Sequence, residues 1–453
     1  MQKSISIKPS FKSILTFIIP SLIGIILFMT PVKHNGEITI SIAILSKILV
    51  NFLGSSLPFI ITITVCFSAI ISIFTKIAKP NWILNNEYLN TLFNVGPLWF
   101  ISRILGAVFC VLVIFNVGPL PIIGDSTGTF VLNDLLTILF SIFLFAGFFL
   151  PLLLDFGLLE FFGAILTKIM RPIFRLPGRS SIDCITSWLG DGTLGIILTS
   201  KQYEEGFYSK REATVISTTF SAVSITFSLV VISQVGLSHL FIPFYLTVTF
   251  AGIVAAVIIP RIYPLCKIPD TYYNNKPQVN NETIPEGYTS LTWGYNLALE
   301  KASKNNDLKD FFINGIKNVL DMWLGVLPVV MALATIALII AEFTPIFQIL
   351  GMPFIPVLKI LQVPEAVAAS QTLVVGFADM LLPSVLAAKT ITSDMTKFII
   401  ACTSVSQLIY MSEVGGVLLG SKIPVSLRQL LIIFLERTLI TLPIIVLVAN
   451  IIF

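Results

Sequence analysis

Two carboxylates in this chain stand where a carboxylate is costly. Asp191 lies in SWLGDGTLG and Asp379 in VGFADMLLP, each near the middle of an apolar stretch broken by Gly, Pro or Asp. At that depth of a hydrocarbon layer an ionised side chain must be hydrated, paired or ion-bound. Two chemistries answer that need, and both can hold together. In one, the Asp takes an amine or hydroxyl of a solute, or helps hold a coupling cation, beside the amides and carbonyls of a broken helix. In the other, it caps the arm that restarts after the break by accepting freed amide protons. A dense polar ladder follows each Asp: Ser217, Thr218, Thr219, Ser221 and Ser224 after the first, and Thr403, Ser404, Ser406, Gln407, Tyr410, Ser412 and Glu413 after the second. Such ladders read as cavity walls, or as surfaces where helices pack closely. Glu413, followed by Val414-Gly415-Gly416, is a candidate proton or cation site, or a solvated group near the end of its span.

Arg103 and Arg437 fall inside apolar runs. A structural ion pair, with Asp134, Asp321 or Glu413 as partner, is the ordinary reading, and binding of an anionic substrate is the sharper one. Other chemistry finds no support. GDGTLG (190–195) follows no strand and precedes no Walker Lys, so it is not a nucleotide loop. The 2 histidines, His34 and His239, cannot assemble a Ser/His/Asp or HExxH centre. The 5 cysteines, Cys66, Cys110, Cys184, Cys266 and Cys402, have no pair at ligand spacing, which argues against a disulfide frame or a zinc site. The expectation is no enzyme, no catalytic residue and no metal centre, with no cofactor beyond a bound sodium ion.

Hydropathy gives the elements that must position these residues. Of 453 residues 55% are apolar and 11% charged, which points to a membrane protein. Apolar runs of about 20 residues, the length that crosses a hydrocarbon core, fall near 12–31, 52–75, 97–119, 130–152, 212–235, 238–260, 319–342, 396–419 and 429–451. The fold class expected is an all-α polytopic membrane protein with nine transmembrane helices plus two re-entrant hairpins, 178–207 and 365–393. Backbone broken in this way is tolerated at membrane depth only when buried in protein or facing a wet cavity. The amphipathic stretches 156–176 and 343–361 read as interfacial helices. The first run has Lys3, Lys8 and Lys12 before it but no small-x-small cleavage pattern in TPVKHNG after it, so it reads as a span. With the N-terminus inside, most of the 28 Lys and Arg residues lie on the cytoplasmic side, and the other face receives Lys33, Lys47, Lys359, Lys389 and Lys397. The hydrophilic run from Lys267 to Asp310 reads as a cytoplasmic tether. Its Asn281-Glu282-Thr283 then faces the wrong side for glycosylation.

The chain also matches itself. FGLLEFFGAILTKIMRPIFRLPGRSSIDCITSWLGDGTLG corresponds to FTPIFQILGMPFIPVLKILQVPEAVAASQTLVVGFADMLLP, with Pro177 against Pro364, Asp191 against Asp379, and Lys201 or Lys389 ten residues after each Asp. ISTTFS (216–221) then matches ACTSVS (401–406). The order span, interfacial helix, hairpin, span, span occurs twice. An odd number of crossings separates the copies, so the second enters the membrane from the opposite side. Inverted repeats with discontinuous elements at mid-depth are a mark of secondary transporters. The domains expected are an N-terminal three-helix region (1–125), a first repeat (126–262), a polar linker (263–312) and a second repeat (313–453).

SWLGDGTLGIILTSKQYEEGFYSKREATVISTTFS and GFADMLLPSVLAAKTITSDMTKFIIACTSVSQLIYMSEVGG resemble the paired motifs of the nucleoside-recognition, or Gate, domain. Across most of its length the chain resembles the YjiH group of bacterial membrane proteins in that superfamily. Concentrative nucleoside transporters, spore maturation proteins A and B and the membrane part of ferrous iron transporter B belong to the same superfamily. The resemblance implies substrate and sodium or proton sites between hairpin tips and the broken helices behind them. Carried over by position, it implies substrate-binding roles for Asp191, Thr193, Asp379, Ser221, Ser406 and Gln407, with Asp191, Asp379 and Glu413 as coupling-ion candidates. The chain has no Gln-Thr-Glu-type tip, which speaks against a nucleoside substrate, and no GTPase domain, which speaks against iron transport.

The function expected is a secondary active transporter of a small polar organic solute, coupled to sodium or protons by alternating access. The alternatives are a non-transporting gate or scaffold subunit that acts with a partner protein, and a passive channel. Expected partners are a small-molecule solute and the lipid bilayer, with a second copy or a small membrane partner as further options and no nucleic acid. The expected location is the inner (plasma) membrane of a bacterium, with the N-terminus cytoplasmic.

Overall fold

A computed structural model of the chain describes residues 11–28, 30–34, 37–189, 192–220, 223, 225–275, 284, 287–304 and 308–453. Asp191, Ser221 and Ser224 lie outside the described residues. Among the described residues six helical stretches are long and apolar enough to cross a membrane: Phe11–Phe28, Ser41–Ala78, Leu120–Leu154, Ser238–Lys267, Lys309–Phe343 and Leu427–Ile452. Their side chains are sorted as lipid demands. On the helix Leu57–Ala78, Ile63, Phe67, Ile70 and Phe74 point outward while Ser68, Ser72 and Thr75 are buried. Lipid solvates the apolar face, and small polar residues let helices approach and bond to one another.

Three of the nine expected crossings take another form. The run at 97–119 is the helix Pro97–Ile114, ended by Asn116 at φ 51° and Gly118 at φ 143°. The run at 212–235 is two half-helices, Lys210–Thr219 and Ile225–Gln234. The run at 396–419 is likewise split into Asp394–Ser406 and Val414–Gly420, with Leu408 at φ 61° in the break. One antiparallel ladder, Pro31–His34 against Glu37–Ile40, departs from the all-α expectation. It is too short for a hydropathy window to separate from the spans on either side.

The two hairpins are present as paired short helices. The arms of the first are Ser180–Leu189 and Gly192–Glu204. The second runs from Ala366–Leu373 through a turn of 3₁₀ helix, Val374–Phe377, to Leu382–Thr390. Leu158–Phe174 precedes the first hairpin as one helix, whereas the stretch before the second is divided at Pro353 into Ile346–Gly351 and Phe354–Ile360. A proline ring at that point removes an amide donor and clashes with the preceding turn. The expected tether is not structureless: its second half contains the helix Ser290–Lys304, whose Tyr295 joins Phe17 and Phe161 in an aromatic cluster against Leu158–Phe174.

The order long helix, amphipathic stretch, hairpin, broken helix, long helix therefore occurs twice. The first long helical stretch of each set contains a π-helical segment, Val131–Leu135 or Asp321–Val326. Asp134 and Asp321 stand in these segments at the same sequence offset as Pro177 and Pro364. Single-turn π segments inside α-helices gather at functional positions. The two long helices meet through Trp323, stacked on Phe140 with ring centroids 4.1 Å apart and donating from Nε1 to the Phe140 carbonyl at 3.0 Å. Helix Pro97–Ile114 lies so close to Leu327–Phe343 that a Cβ on Gly106 would stand 2.1 Å from the Pro328 carbonyl oxygen.

Candidate functional site

The second hairpin and the broken helix behind it form one unit. At the tip, the backbone of the break runs beside the turn, with Met411 N donating to Phe377 O at 2.8 Å and Ser412 N to Ala378 O at 2.9 Å. Asp379 closes this arrangement. Its Oδ1 accepts from the amides of Leu381 (2.8 Å) and Leu382 (3.3 Å), and its Oδ2 accepts from the Ser412 hydroxyl at 2.8 Å. The carboxylate thus caps the second arm and ties the tip to the break. Gln407, at the start of the break, donates from Nε2 to Leu373 O and Thr438 Oγ1, both at 2.9 Å. Its Oε1 is buried and accepts no hydrogen bond among the described residues. Gly376 makes room for that oxygen, since a Cβ there would sit 2.2 Å from it.

The breaks of the two repeats meet at Arg437, which is 1% exposed on the C-terminal helix. Its Nε donates to Ser406 O at 2.9 Å and its Nη1 to Thr219 O at 3.1 Å. These carbonyls end the half-helices Asp394–Ser406 and Lys210–Thr219. Each C-terminus carries the negative end of a helix dipole, about half an elementary charge, so the guanidinium is a fixed cation between two such ends. The ion pair expected for Arg437 is replaced by these charge-assisted bonds to carbonyls. A cavity of about 120 Å³ opens here, lined by Trp188, Thr219, Phe220, Tyr245, Ser406 and Arg437 among others. The Trp188 Nε1 donates to the Tyr245 hydroxyl across it.

The first hairpin is held by a carboxylate that the sequence reading passed over. Asp183, buried on the first arm, accepts from Thr199 Oγ1 at 2.8 Å and Gln202 Nε2 at 2.7 Å on the second. A buried carboxylate needs such donors. A carboxylate as the one charged residue of SSIDCITSWL was the available signal. Further along that arm, Lys201 Nζ stands 2.6 Å from Asp321 Oδ2 and 3.6 Å from Glu204 Oε2. Asp321 is thus ion-paired, but across repeats to Lys201 and not to either arginine. Arg103 has no ion pair among the described residues and donates from Nη1 to Ser72 Oγ and Leu92 O, each at 2.9 Å. Carbonyl and hydroxyl partners leave no trace in the pattern of charges, which is why an ion pair was expected.

Of the remaining candidates, Thr193 is buried at the start of the second arm of the first hairpin. Ser406 bonds to Thr403 O at 3.0 Å and Thr441 Oγ1 at 3.2 Å and lines the small cavity. Glu413 is half-buried at the N-terminus of Val414–Gly420. The hydroxyl ladders mostly bond within their own helices: Thr218 to Thr214 O, Thr403 to Ile399 O and Ser404 to Ala401 O. Among the described residues of those ladders, Thr219 and Ser406 line the small cavity.

Apolar spanning helices around paired hairpins and broken helices define a polytopic integral membrane protein. Nucleoside recognition, the Gate family, matches residues 136–238, which include the first hairpin and its broken helix. Over 439 residues the chain is 51% identical to an uncharacterized protein of Alkalihalophilus pseudofirmus, covering 97% of this chain and 95% of that protein. The chain belongs to the family of that protein and is a Gate-domain membrane protein, of transport-related function. No solved structure matches it.

Proposed function

We propose that the protein is a secondary active transporter of a small polar organic solute, driven by an ion gradient through alternating access, and not an enzyme. In this reading it is a YjiH-type member of the Gate superfamily in a bacterial plasma membrane, with its N-terminus cytoplasmic, its hairpins re-entrant and its two repeats inverted. The observation that carries the reading is an asymmetry between matched pairs. Lys201 on the first hairpin is bonded to Asp321 in the π segment of the second repeat. Their repeat counterparts, Lys389 on the second hairpin and Asp134 in the other π segment, are both exposed and make no ion pair among the described residues. An inverted-repeat transporter closes one gate while its counterpart is open. Arg437 stands between the half-helix ends, so a coupling ion, sodium or a proton, falls to the carboxylates Asp191, Asp379 or Glu413. The solute is taken beside the tips, with Thr193, Ser221, Ser406 and Gln407 as its polar contacts.

One observation favours the second reading, a gate subunit working with a partner protein: Asp379 is fully employed as a cap. Thermal stabilisation of the purified protein separates the two. Nucleosides, amino acids, dipeptides and carboxylates are each tested with sodium, with potassium and at two pH values. A transporter gains stability by mass action from its solute, and the gain depends on pH or sodium. Folded protein that responds to no solute under any condition contradicts the transport reading and supports the partner-dependent one.

A further inference from the structure

A second cavity, of about 630 Å³, lies away from the hairpin tips, where the N-terminal helices meet the Gate repeats. Its volume falls within the roughly 300–1,000 Å³ of small-molecule sites. Trp99, Arg103, Asp321, Gly325 and Lys422 are among the residues that line it. Arg103 is 3% exposed, and its Nη1 is held by Ser72 and Leu92. Its Nε is buried without a hydrogen bond among the described residues. Its Nη2 lies 3.9 Å from the place a Cβ would take on Gly325, on the side where that residue leaves space. A guanidinium is a fork of fixed donors, and a buried fork left open is matched to a carboxylate or phosphate.

The charges around the cavity point the same way. Arg103, Lys317 and Lys422 line the cavity together with Glu87, Glu204 and Asp321. Lys201 stands 2.6 Å from Asp321 and 3.6 Å from Glu204, so four cations stand against three carboxylates and the balance is positive. We infer that this cavity binds a small oxyanion, a carboxylate or a phosphate, between Arg103 and Lys422. Arg103 and Lys422 stand outside the matched Gate segment, and the inference does not depend on the transport reading. Its wall includes Asp321, so an occupant touches the closed Lys201–Asp321 pair.

The test is thermal stabilisation of the full chain in detergent at constant ionic strength, with succinate, with inorganic phosphate and with phosphatidylglycerol as separate arms, and chloride as control. Because Arg103 also ties Ser72 to Leu92, the decisive variants are Lys422→Gln and Gly325→Leu; the latter fills the cavity without changing charge. Stabilisation by succinate or phosphate identifies a soluble anion, and stabilisation by phosphatidylglycerol alone identifies a lipid headgroup. In either case Lys422→Gln weakens the apparent affinity about tenfold or more, and Gly325→Leu abolishes the response. No stabilisation of folded wild type by any of the three, or a response unchanged in both variants, overturns the inference.

Discussion

Arg437 is the residue on which the two repeats depend most. It supplies hydrogen bonds to the ends of two half-helices. Arg437→Met is expected to destabilise the protein by about 2–4 kcal/mol, the scale for leaving two buried acceptors unsatisfied, read as a fall in melting temperature. Arg437→Lys keeps the charge but not the fork and recovers only part of that loss. Asp379 makes a finer distinction. Asp379→Ala removes the cap and costs about 1–2 kcal/mol, whereas Asp379→Asn retains Oδ1 for Leu381 and Leu382 and melts close to wild type. If Asp379→Asn nevertheless loses ion-dependent solute stabilisation, the carboxylate holds the coupling ion as well as the cap. The sequence singles out both residues by their cost in an apolar run and offers the cap for Asp379, but leaves the partners of Arg437 unread: Ser406 and Thr219 accept through backbone carbonyls, which have no residue signature.

The hairpins and broken helices can be tested as elements. Gly376 lies where any Cβ would strike Gln407 Oε1, so Gly376→Ala displaces a side chain that bonds Leu373 and Thr438. A loss of about 1–3 kcal/mol is expected, and a variant as stable as wild type would contradict the close approach. The base of this hairpin is fastened by Glu365, which accepts from the Thr392 hydroxyl at 2.8 Å and the Ser393 amide at 2.8 Å. The Thr392 hydroxyl first, and then the two backbone amides, hold the exposed carboxyl below its ordinary value. With a depressed folded value, its contribution is full above the unfolded value and is lost as pH falls through the folded one. The melting difference between wild type and Glu365→Gln is therefore expected to hold at neutral pH and to vanish in acid. A difference that persists unchanged in acid would assign it to packing. Both hairpins were legible because Gly, Pro and Asp gather at their turns. The breaks after Thr219 and at 407–413 were implied by the family resemblance but not by hydropathy, because apolar and hydroxyl residues continue past the half-helix ends and a hydropathy window averages across the gap. The Asp134–Asp321 correspondence was present in the spacing but falls outside the hairpin motifs, and becomes meaningful only once both residues stand in π-helical segments.

At the scale of the whole molecule, two sets of elements share an order, meet at Arg437 and differ in one respect. The pair Lys201–Asp321 is joined and the matched pair Lys389–Asp134 is not. The helix Pro97–Ile114 adds a contact outside this symmetry, seating Gly106 on Pro328, and Gly106→Leu is expected to lower the yield of folded protein. The N-terminal helices and Ser290–Lys304 have no counterpart in the other repeat, so pattern matching could not place them. Alternating access requires that the open pair close when the closed pair opens. The direct test is disulfide trapping in membranes, in a chain freed of its native cysteines, comparing Lys201→Cys/Asp321→Cys with Lys389→Cys/Asp134→Cys. The account predicts that each pair cross-links on its own and that locking either prevents reagents from reaching the other pair's side of the site. If the first pair cross-links fully while the second never does under any ionic or solute condition, the molecule is fixed in one state and the transporter reading is contradicted.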